Sequence, residues 1–348
     1  MGYMIRVGIL GATGYAGSEL VRLLSAHGGV QLAMLTSKSY AGQKMSAVYP
    51  ALRGVCDLVL EEAEPETIAA RCDVVFTALP HGASKEVIPR LYALGLTIID
   101  LSGDYRYNDA AVYEAWYQQP HSSPELLKVS VYGLPELHRE AIQKAKLIGN
   151  PGCYTTCSIL GLAPLVADGV IDTKNIIIDA KSGVSGGGRG LAQAYHFCEC
   201  TENMKAYKVA THRHTSEIEQ ELSLLAGEAI QLSFTPHLVP MKRGIFATIY
   251  ANLKTAKTKE ELLALYHDFY KGEPCIRIYD EGLPESNFVS GSDFVDIGLC
   301  VDERLNRVIV ISAIDNLVKG AAGQAIQNMN LVCGLPEMQG LSGAGFYI

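Results

Sequence analysis

The chain has 348 residues, 48% of them hydrophobic and 19% charged, enough apolar material for a large core and, at roughly 150 residues per domain, for about two domains. It carries 29 Lys and Arg against 37 Asp and Glu, a net charge of −8 with pI near 5.6. That composition excludes disorder and, lacking basic blocks, binding to a nucleic-acid backbone; no apolar run approaches the ~18 residues of a membrane span.

The nine cysteines, at 56, 72, 153, 157, 198, 200, 275, 300 and 333, are odd in number and form no C-x-x-C pair, which fits reduced thiols. Met1 to Leu10 shows neither a basic stretch nor a small-residue cleavage site, so a cytoplasmic location is expected.

A strand is predicted over Ile5–Leu10, followed by Gly11-Ala12-Thr13-Gly14-Tyr15-Ala16-Gly17 and a helix carrying Leu20, Val21, Leu23 and Leu24. Strands over Gln31–Leu35, Asp73–Ala78 and Thr97–Asp100 follow, with a helix over Ser84–Leu94. This alternation predicts a doubly wound parallel sheet of Rossmann type. Glycines at 11, 14 and 17 between strand and helix make a dinucleotide turn: one for the tight bend, one for close phosphate approach, one for helix–strand contact. Thr13, Tyr15 and Ala16 complete it at the helix N-terminus. Where NAD sites usually place an acid, about 20 residues on, this chain has Thr36-Ser37-Lys38-Ser39. Hydroxyls and a cation suit a 2′-phosphate, so NADP(H) is expected, with Ser37 and Lys38 beside it.

Beyond residue 150 strands dominate: Ile176–Ala180, Ile230–Phe234, Ile245–Leu253, Phe294–Val301 and Arg307–Ile314. Helices over Thr155–Val166, Ser216–Leu225 and Lys259–Tyr270 can cover one face, which predicts an α+β half with a mainly antiparallel sheet. A last helix is expected over Lys319–Leu331.

Asn150-Pro151-Gly152-Cys153 precedes the apolar run of the first of these helices. A thiol there meets unpaired N–H groups and the positive end of the helix dipole, which favour thiolate and can hold an oxyanion. The other eight cysteines read as packing, with Cys157, one turn on, either a buried residue or a resolving thiol. His212-Arg213-His214 precedes Ser216 and Glu219, a capping-box spacing that places both histidines just ahead of a helix. The pair reads as metal ligands, as an acid–base group beside a thiolate, or as ordinary structural histidines; no third ligand cluster supports a metal. Lys181–Arg189, rich in glycine, resembles a backbone anion nest with Ser182, Ser185, Gly186 and Arg189 as its candidates, and Lys242-Arg243 adds a further cation pair.

Together with Leu79-Pro80-His81-Gly82, Asp100-Leu101-Ser102-Gly103-Asp104, Tyr132-Gly133-Leu134-Pro135-Glu136 and Asp315-Asn316-Leu317-Val318-Lys319-Gly320, these segments run through nearly the whole chain. Their combination resembles the N-acetyl-gamma-glutamyl-phosphate reductase family of the aspartate-semialdehyde dehydrogenase superfamily. The resemblance implies NADPH-dependent reduction of an acyl phosphate to a semialdehyde with release of phosphate, in arginine biosynthesis. It implies Cys153 as nucleophile, His214 by preference as acid–base group, and His212, Arg213, Arg189 and Arg243 toward the substrate. It further implies Asn316 at the nicotinamide carboxamide and Leu79, Pro80, His81 and Gly82 beside the cofactor. Residues 1–149 with 320–348 would form the nucleotide domain and 150–319 the catalytic and dimerisation domain of a homodimer or homotetramer. One departure is Gly187, where the family pattern implies Ala.

Overall fold

The computed structural model describes residues 4–346, and its backbone divides into two compact units. The first runs through Pro151 and takes back Ala321–Gly343; the second holds Gly152–Gly320 and the segment from Ala344. The tail was expected with the nucleotide domain. Instead, Phe346 N–H donates to Ser290 O at 2.6 Å and its ring lies where a side chain at Gly291 would stand. Among the described residues no helix is long and apolar enough to cross a membrane.

In the first unit the strands are β1 (Ile5–Leu10), β2 (Val30–Thr36), β3 (Val74–Thr77), β4 (Thr97–Asp100), β5 (Val131–Tyr132) and β6 (Leu147–Gly149). They pair in the order β2-β1-β3-β4-β6-β5, every pairing parallel. Every residue of β3 and β4 is buried, as parallel strands covered on both faces require. Leu10, Met34, Ile68, Val75, Ile88, Leu91, Ile98 and Leu147 build one core between sheet and helices.

The second unit adds β7 (Ile177–Gly183), β8 (Lys205–Ala206), β9 (Ser233–Val239), β10 (Ile245–Asn252), β11 (Ile276–Tyr279), β12 (Val295–Asp302) and β13 (Arg307–Ile314), in the order β11-β12-β13-β10-β7-β9-β8. Four pairings are antiparallel, while β7–β9 and β11–β12 are parallel. Each parallel pair is joined by a connection long enough for a crossover, so the sheet is mixed. The strand expected at Ile230–Phe234 lies further on, at Ser233–Val239, with Pro236 inside it. Ile230 is buried just ahead of it.

The Cys153–Ala167 helix is buried from Tyr154 to Val166 and packs over β10, β13 and the His214–Ala226 helix. β10 turns Ile245, Ala247, Ile249 and Ala251 toward this cover. The Lys259–Phe269 helix, opened by a Thr258/Glu261 capping box, anchors to it through Tyr266 Oη, which donates to Gly161 O at 2.6 Å. A helix apolar on every side belongs inside a core, which fixes its first residue rigidly. The last helix is Gly323–Val332, entered through a π-helical turn, Val318–Ala322.

Candidate active site

Cys153 is the first helical residue, two positions earlier than the apolar pattern indicated, with extended Gly152 as N-cap (φ −71°, ψ 154°). The ladder begins where Thr156 N–H reaches Gly152 O at 3.0 Å, so the thiol stands at the positive end of the helix. Gly320 closes on it from another segment: a methyl there would come within 2.7 Å of Cys153 Cβ.

His214 opens its helix rather than preceding it, because Arg213 is already helical at φ −56°, ψ −31°. The expected capping box is therefore not formed: Ser216 Oγ donates to Arg213 O at 2.9 Å, and Glu219 Oε1 accepts from Leu232 N–H at 3.0 Å. The His214 imidazole rests on Gly152. A side chain at 152 would overlap His214 Nε2 and stand 2.7 Å from its Cε1. Gly152 thus makes room for the histidine beside the thiol, which joins the two sequence segments in one site.

Glu217, one turn along the same helix and fully buried, was missed in the sequence. Its Oε1 accepts from Gly152 N–H and from Thr155 Oγ1, both at 2.8 Å, tying the start of the thiol helix to the start of the histidine helix. An acid three residues after His214 carries that signal only once the two helices are known to touch.

His212 lies in the wall of the site. Its ring meets Tyr154, Tyr207, Phe234 and His214 edge-on, with centroids 5.6, 5.5, 5.5 and 4.7 Å away, and its Nδ1 accepts from His214 N–H at 3.2 Å. Burial, then the charges of Lys208 and Arg213, push its pKa down to about 3. It stays neutral in the fold while the unfolded chain takes up a proton below its ordinary value of 6.5. Stability from this residue is therefore present at neutral pH and lost as pH falls from 6.5 toward 3. In ring-proton NMR, the signal lost in His212→Gln is expected not to titrate between pH 7 and about 4; a midpoint near 6.5 would contradict this burial. Among the described residues no cluster of three or more His, Cys, Asp or Glu gathers as a metal set.

The glycine loop after β7 is tied on one side. Val184 and Ser185 N–H donate to Met241 and Lys242 O, and Gly183 N–H to Gly244 O. Asn316, almost fully buried, accepts from Gly244 N–H at 2.8 Å and donates to Ser185 Oγ at 2.9 Å, so its carboxamide binds two loops of its own unit. Arg243 reaches Asp315 at 3.4 Å, and Arg189 is half-buried beyond exposed Gly186. Ser182 Oγ is buried and donates to Gly183 O.

In the first unit the three glycines divide the work. A side chain at Gly11 (φ +82°) would strike Ala78 O, and one at Gly17 would strike Gly11 O and come within 2.8 Å of Ala12 Cα. At Gly14 the nearest atom would be 3.6 Å away, so protein packing does not demand that glycine. The open space before the Tyr15–Leu24 helix, with Tyr15 and Ala16 in its first turn, fits a phosphate brought close to the backbone. Thr13 Oγ1 and buried Ser37 Oγ bond each other at 2.9 Å at the end of β2, beside exposed Lys38. The Leu79–Gly82 turn, with Pro80 exposed, is held by Asp104. That carboxylate accepts from Gly82 N–H at 3.0 and 2.9 Å and from Tyr113 Oη at 2.9 Å, while His81 Nδ1 accepts from Gly103 N–H. Asp100, buried and fed by Thr77 and Ser102 hydroxyls at 2.6 Å, is pushed up to about 6 by burial and the charge of Asp104.

The remaining thiols are not all packing. Cys56, Cys72, Cys157 and Cys275 are buried, but Cys198 and Cys300 are exposed, one in the short surface helix Phe197–Cys200 and the other at an exposed position of β12. Cys157 turns toward Ser312 O at 3.3 Å, and burial raises its pKa to about 12, which removes it as a resolving thiol.

Two family models match: a semialdehyde dehydrogenase NAD-binding domain over residues 6–145 and a semialdehyde dehydrogenase dimerisation domain over residues 153–316. The chain is 60% identical over 346 residues to the N-acetyl-gamma-glutamyl-phosphate reductase of Acetivibrio thermocellus, covering 99% of this chain and 100% of that protein. It is 55% identical to the enzyme of the same name from Syntrophobacter fumaroxidans over 98% of this chain and 99% of that one. Among solved structures it is similar to aspartate semialdehyde dehydrogenase II from Vibrio cholerae complexed with ASA (TM-score 0.73, 17% identity, 96% and 99% of the two chains). It is also similar to the Candida albicans aspartate semialdehyde dehydrogenase with NADP (TM-score 0.72, 19% identity, 95% and 99%). At such identities these two structures speak to the fold, a parallel Rossmann-type sheet unit and a mixed-sheet unit.

Proposed function

Because the chain belongs to the N-acetyl-gamma-glutamyl-phosphate reductase family, we propose that it reduces N-acetyl-L-glutamyl 5-phosphate to N-acetyl-L-glutamate 5-semialdehyde and phosphate, with NADPH and a thioester on Cys153, in arginine biosynthesis. The observation that carries this reading is the placement of half-buried Cys153 at the first position of a buried helix, with the His214 imidazole seated on the preceding glycine. A thiolate needs a base at hand and a positive field, which the His214 imidazole beside Gly152 and the helix N-terminus can supply.

His214 takes the Cys153 proton, the thiolate attacks the acyl carbon, and the carbon–oxygen bond to phosphate breaks. Phosphate leaves readily because an acyl phosphate is already activated. NADPH, when bound, supplies the hydride that the thioester carbonyl requires. First-turn N–H groups of the Cys153 helix hold the oxyanion, which collapses to aldehyde as the carbon–sulfur bond breaks, and His214 returns its proton to a departing oxygen or to sulfur. Gly11, Thr13, Gly14, Tyr15, Ala16 and Gly17, with Ser37, Lys38 and the Leu79–Gly82 turn, are the residues we assign to the nucleotide. Ser182, Ser185, Gly186, Arg189, Arg213 and Arg243 are assigned to the substrate's anionic ends. His212 serves them as a neutral wall. Asn316 acts on the nicotinamide amide or through the loops it holds. We read the protein as cytoplasmic, and as a homodimer or homotetramer formed through its second unit.

The test runs the reaction backwards, with NADP, inorganic phosphate and semialdehyde. Phosphate-dependent NADPH formation is expected with N-acetylglutamate semialdehyde, and at least ~10-fold slower with aspartate semialdehyde, which is one methylene shorter and unacetylated. The opposite preference would make the chain an aspartate-semialdehyde enzyme. Nucleotide binding without turnover of either would make it a non-catalytic NADP sensor.

A further inference from the structure

Gly187, in the glycine loop after β7, has no room for a side chain. A side chain at 187 would overlap Tyr195 Cζ and Oη and lie 2.8 Å from Cε1. The hydroxyl end of the Tyr195 ring therefore rests against the glycine loop at Gly187. The loop's other side is already occupied by Asn316 and the 241–244 segment. Tyr195 ends a short 3-10 turn, Gln193–Tyr195, in an exposed stretch and is itself exposed. The phenol end of this exposed side chain meets the loop at Gly187, and the absence of a methyl there is what admits it. Elsewhere in this unit the Tyr207 phenol donates to Tyr154 Oη at 3.3 Å, and burial raises its pKa.

We propose that Tyr195 is a specificity-determining residue of the site, its hydroxyl donating to the phosphate group held by the Ser185–Gly188 loop, with Gly187 as the accommodation that lets the ring reach it. The proposal rests on the acyl-phosphate reading above. A phenol is a neutral donor, so it adds a hydrogen bond to the anion without adding charge. It works on the group that leaves the substrate and enters in the reverse reaction.

The experiment compares Tyr195→Phe, Gly187→Ala, Tyr195→Ala and the Gly187→Ala/Tyr195→Ala double variant in the phosphate-dependent reverse assay. A hydrogen bond to a charged group is worth roughly 1.5–3 kcal/mol, so Tyr195→Phe is expected to raise KM for phosphate on the order of 10-fold while kcat stays within about twofold. Gly187→Ala displaces the same hydroxyl and should match it, and the double variant should be no worse than Tyr195→Ala alone. Alkylation of Cys153 by iodoacetamide with inorganic phosphate as protectant reads the same contact without turnover: half-protection should need about 10-fold more phosphate in Tyr195→Phe. An unchanged KM and unchanged protection in Tyr195→Phe overturn the proposal, as does a Gly187→Ala effect that adds in full to that of Tyr195→Ala. Wild-type protein that neither turns over nor is protected by phosphate would instead remove the acyl-phosphate reading itself.

Discussion

Cys153→Ala is expected to abolish phosphate-dependent turnover, a loss on the order of 10⁴-fold or more by comparison with removal of other covalent nucleophiles, while NADPH binding changes by less than about twofold. The two halves of the expectation have separate physical grounds. On the thioester route proposed above, losing the sulfur removes the group that would receive the acyl chain, so the acyl phosphate would have nothing to transfer to. The residues assigned to the nucleotide, from Gly11 to Lys38 and at the Leu79–Gly82 turn, belong to the first unit, whereas Cys153 belongs to the second. Alanine is also a good helix former, so the buried Tyr154–Val166 stretch keeps its place. Kinetics and nucleotide titration of the purified variant check both halves. In the wild-type chain, loss of activity on iodoacetamide treatment should follow Cys153 alone, even though Cys198 and Cys300 are more exposed and also alkylate. Turnover surviving in Cys153→Ala, or inactivation tracking another cysteine, would move the chemistry elsewhere.

How much of this was legible in the sequence depends on the range of the cause. The glycine turn reads locally: a strand, three glycines at fixed spacing and a helix are adjacent in the chain, and the structure finds Gly11 and Gly17 crowded and Gly14 open. The thiol at a helix start is legible for the same reason, since Pro151, Gly152 and the apolar run that follows are neighbours. The histidine pair was visible as a pair but not as a division of labour. His212 is neutral because Tyr154, Tyr207 and Phe234, from three other segments, enclose it, and no spacing encodes that. Glu217 and Gly320 were missed for the same cause: each acts across 60 or more residues of chain on the Cys153 helix start. Local pattern even misled at Ser216 and Glu219, whose capping-box spacing lost to a helix that begins at His214. The tail from Ala344 went astray likewise, because only its packing on Ser290 and Gly291 assigns it.

Gly152→Ala should cost nearly as much turnover as His214→Ala, on the order of 10²–10⁴-fold for loss of a positioned acid–base group, with the fold intact. The backbone at 152 is extended, φ −71° and ψ 154°, and alanine adopts it without strain. As an N-cap, alanine is poorer than glycine by no more than about 1 kcal/mol, a small part of the stability of a chain this size. What the methyl cannot do is share space with the imidazole: it would overlap His214 Nε2 and lie 2.7 and 2.9 Å from Cε1 and Cδ2. The ring must swing away from the thiol, so the substitution removes the histidine's action while leaving the histidine in the chain. The two changes delete one interaction and should not multiply: Gly152→Ala/His214→Ala is expected to be no slower than the worse single variant. The pH dependence of Cys153 alkylation should shift to the same extent in all three variants, because each would deprive the thiol of the base we propose for it. If the double variant instead shows the product of the single losses, or Gly152→Ala keeps more than about half of wild-type turnover, the seat on Gly152 is not where His214 does its work.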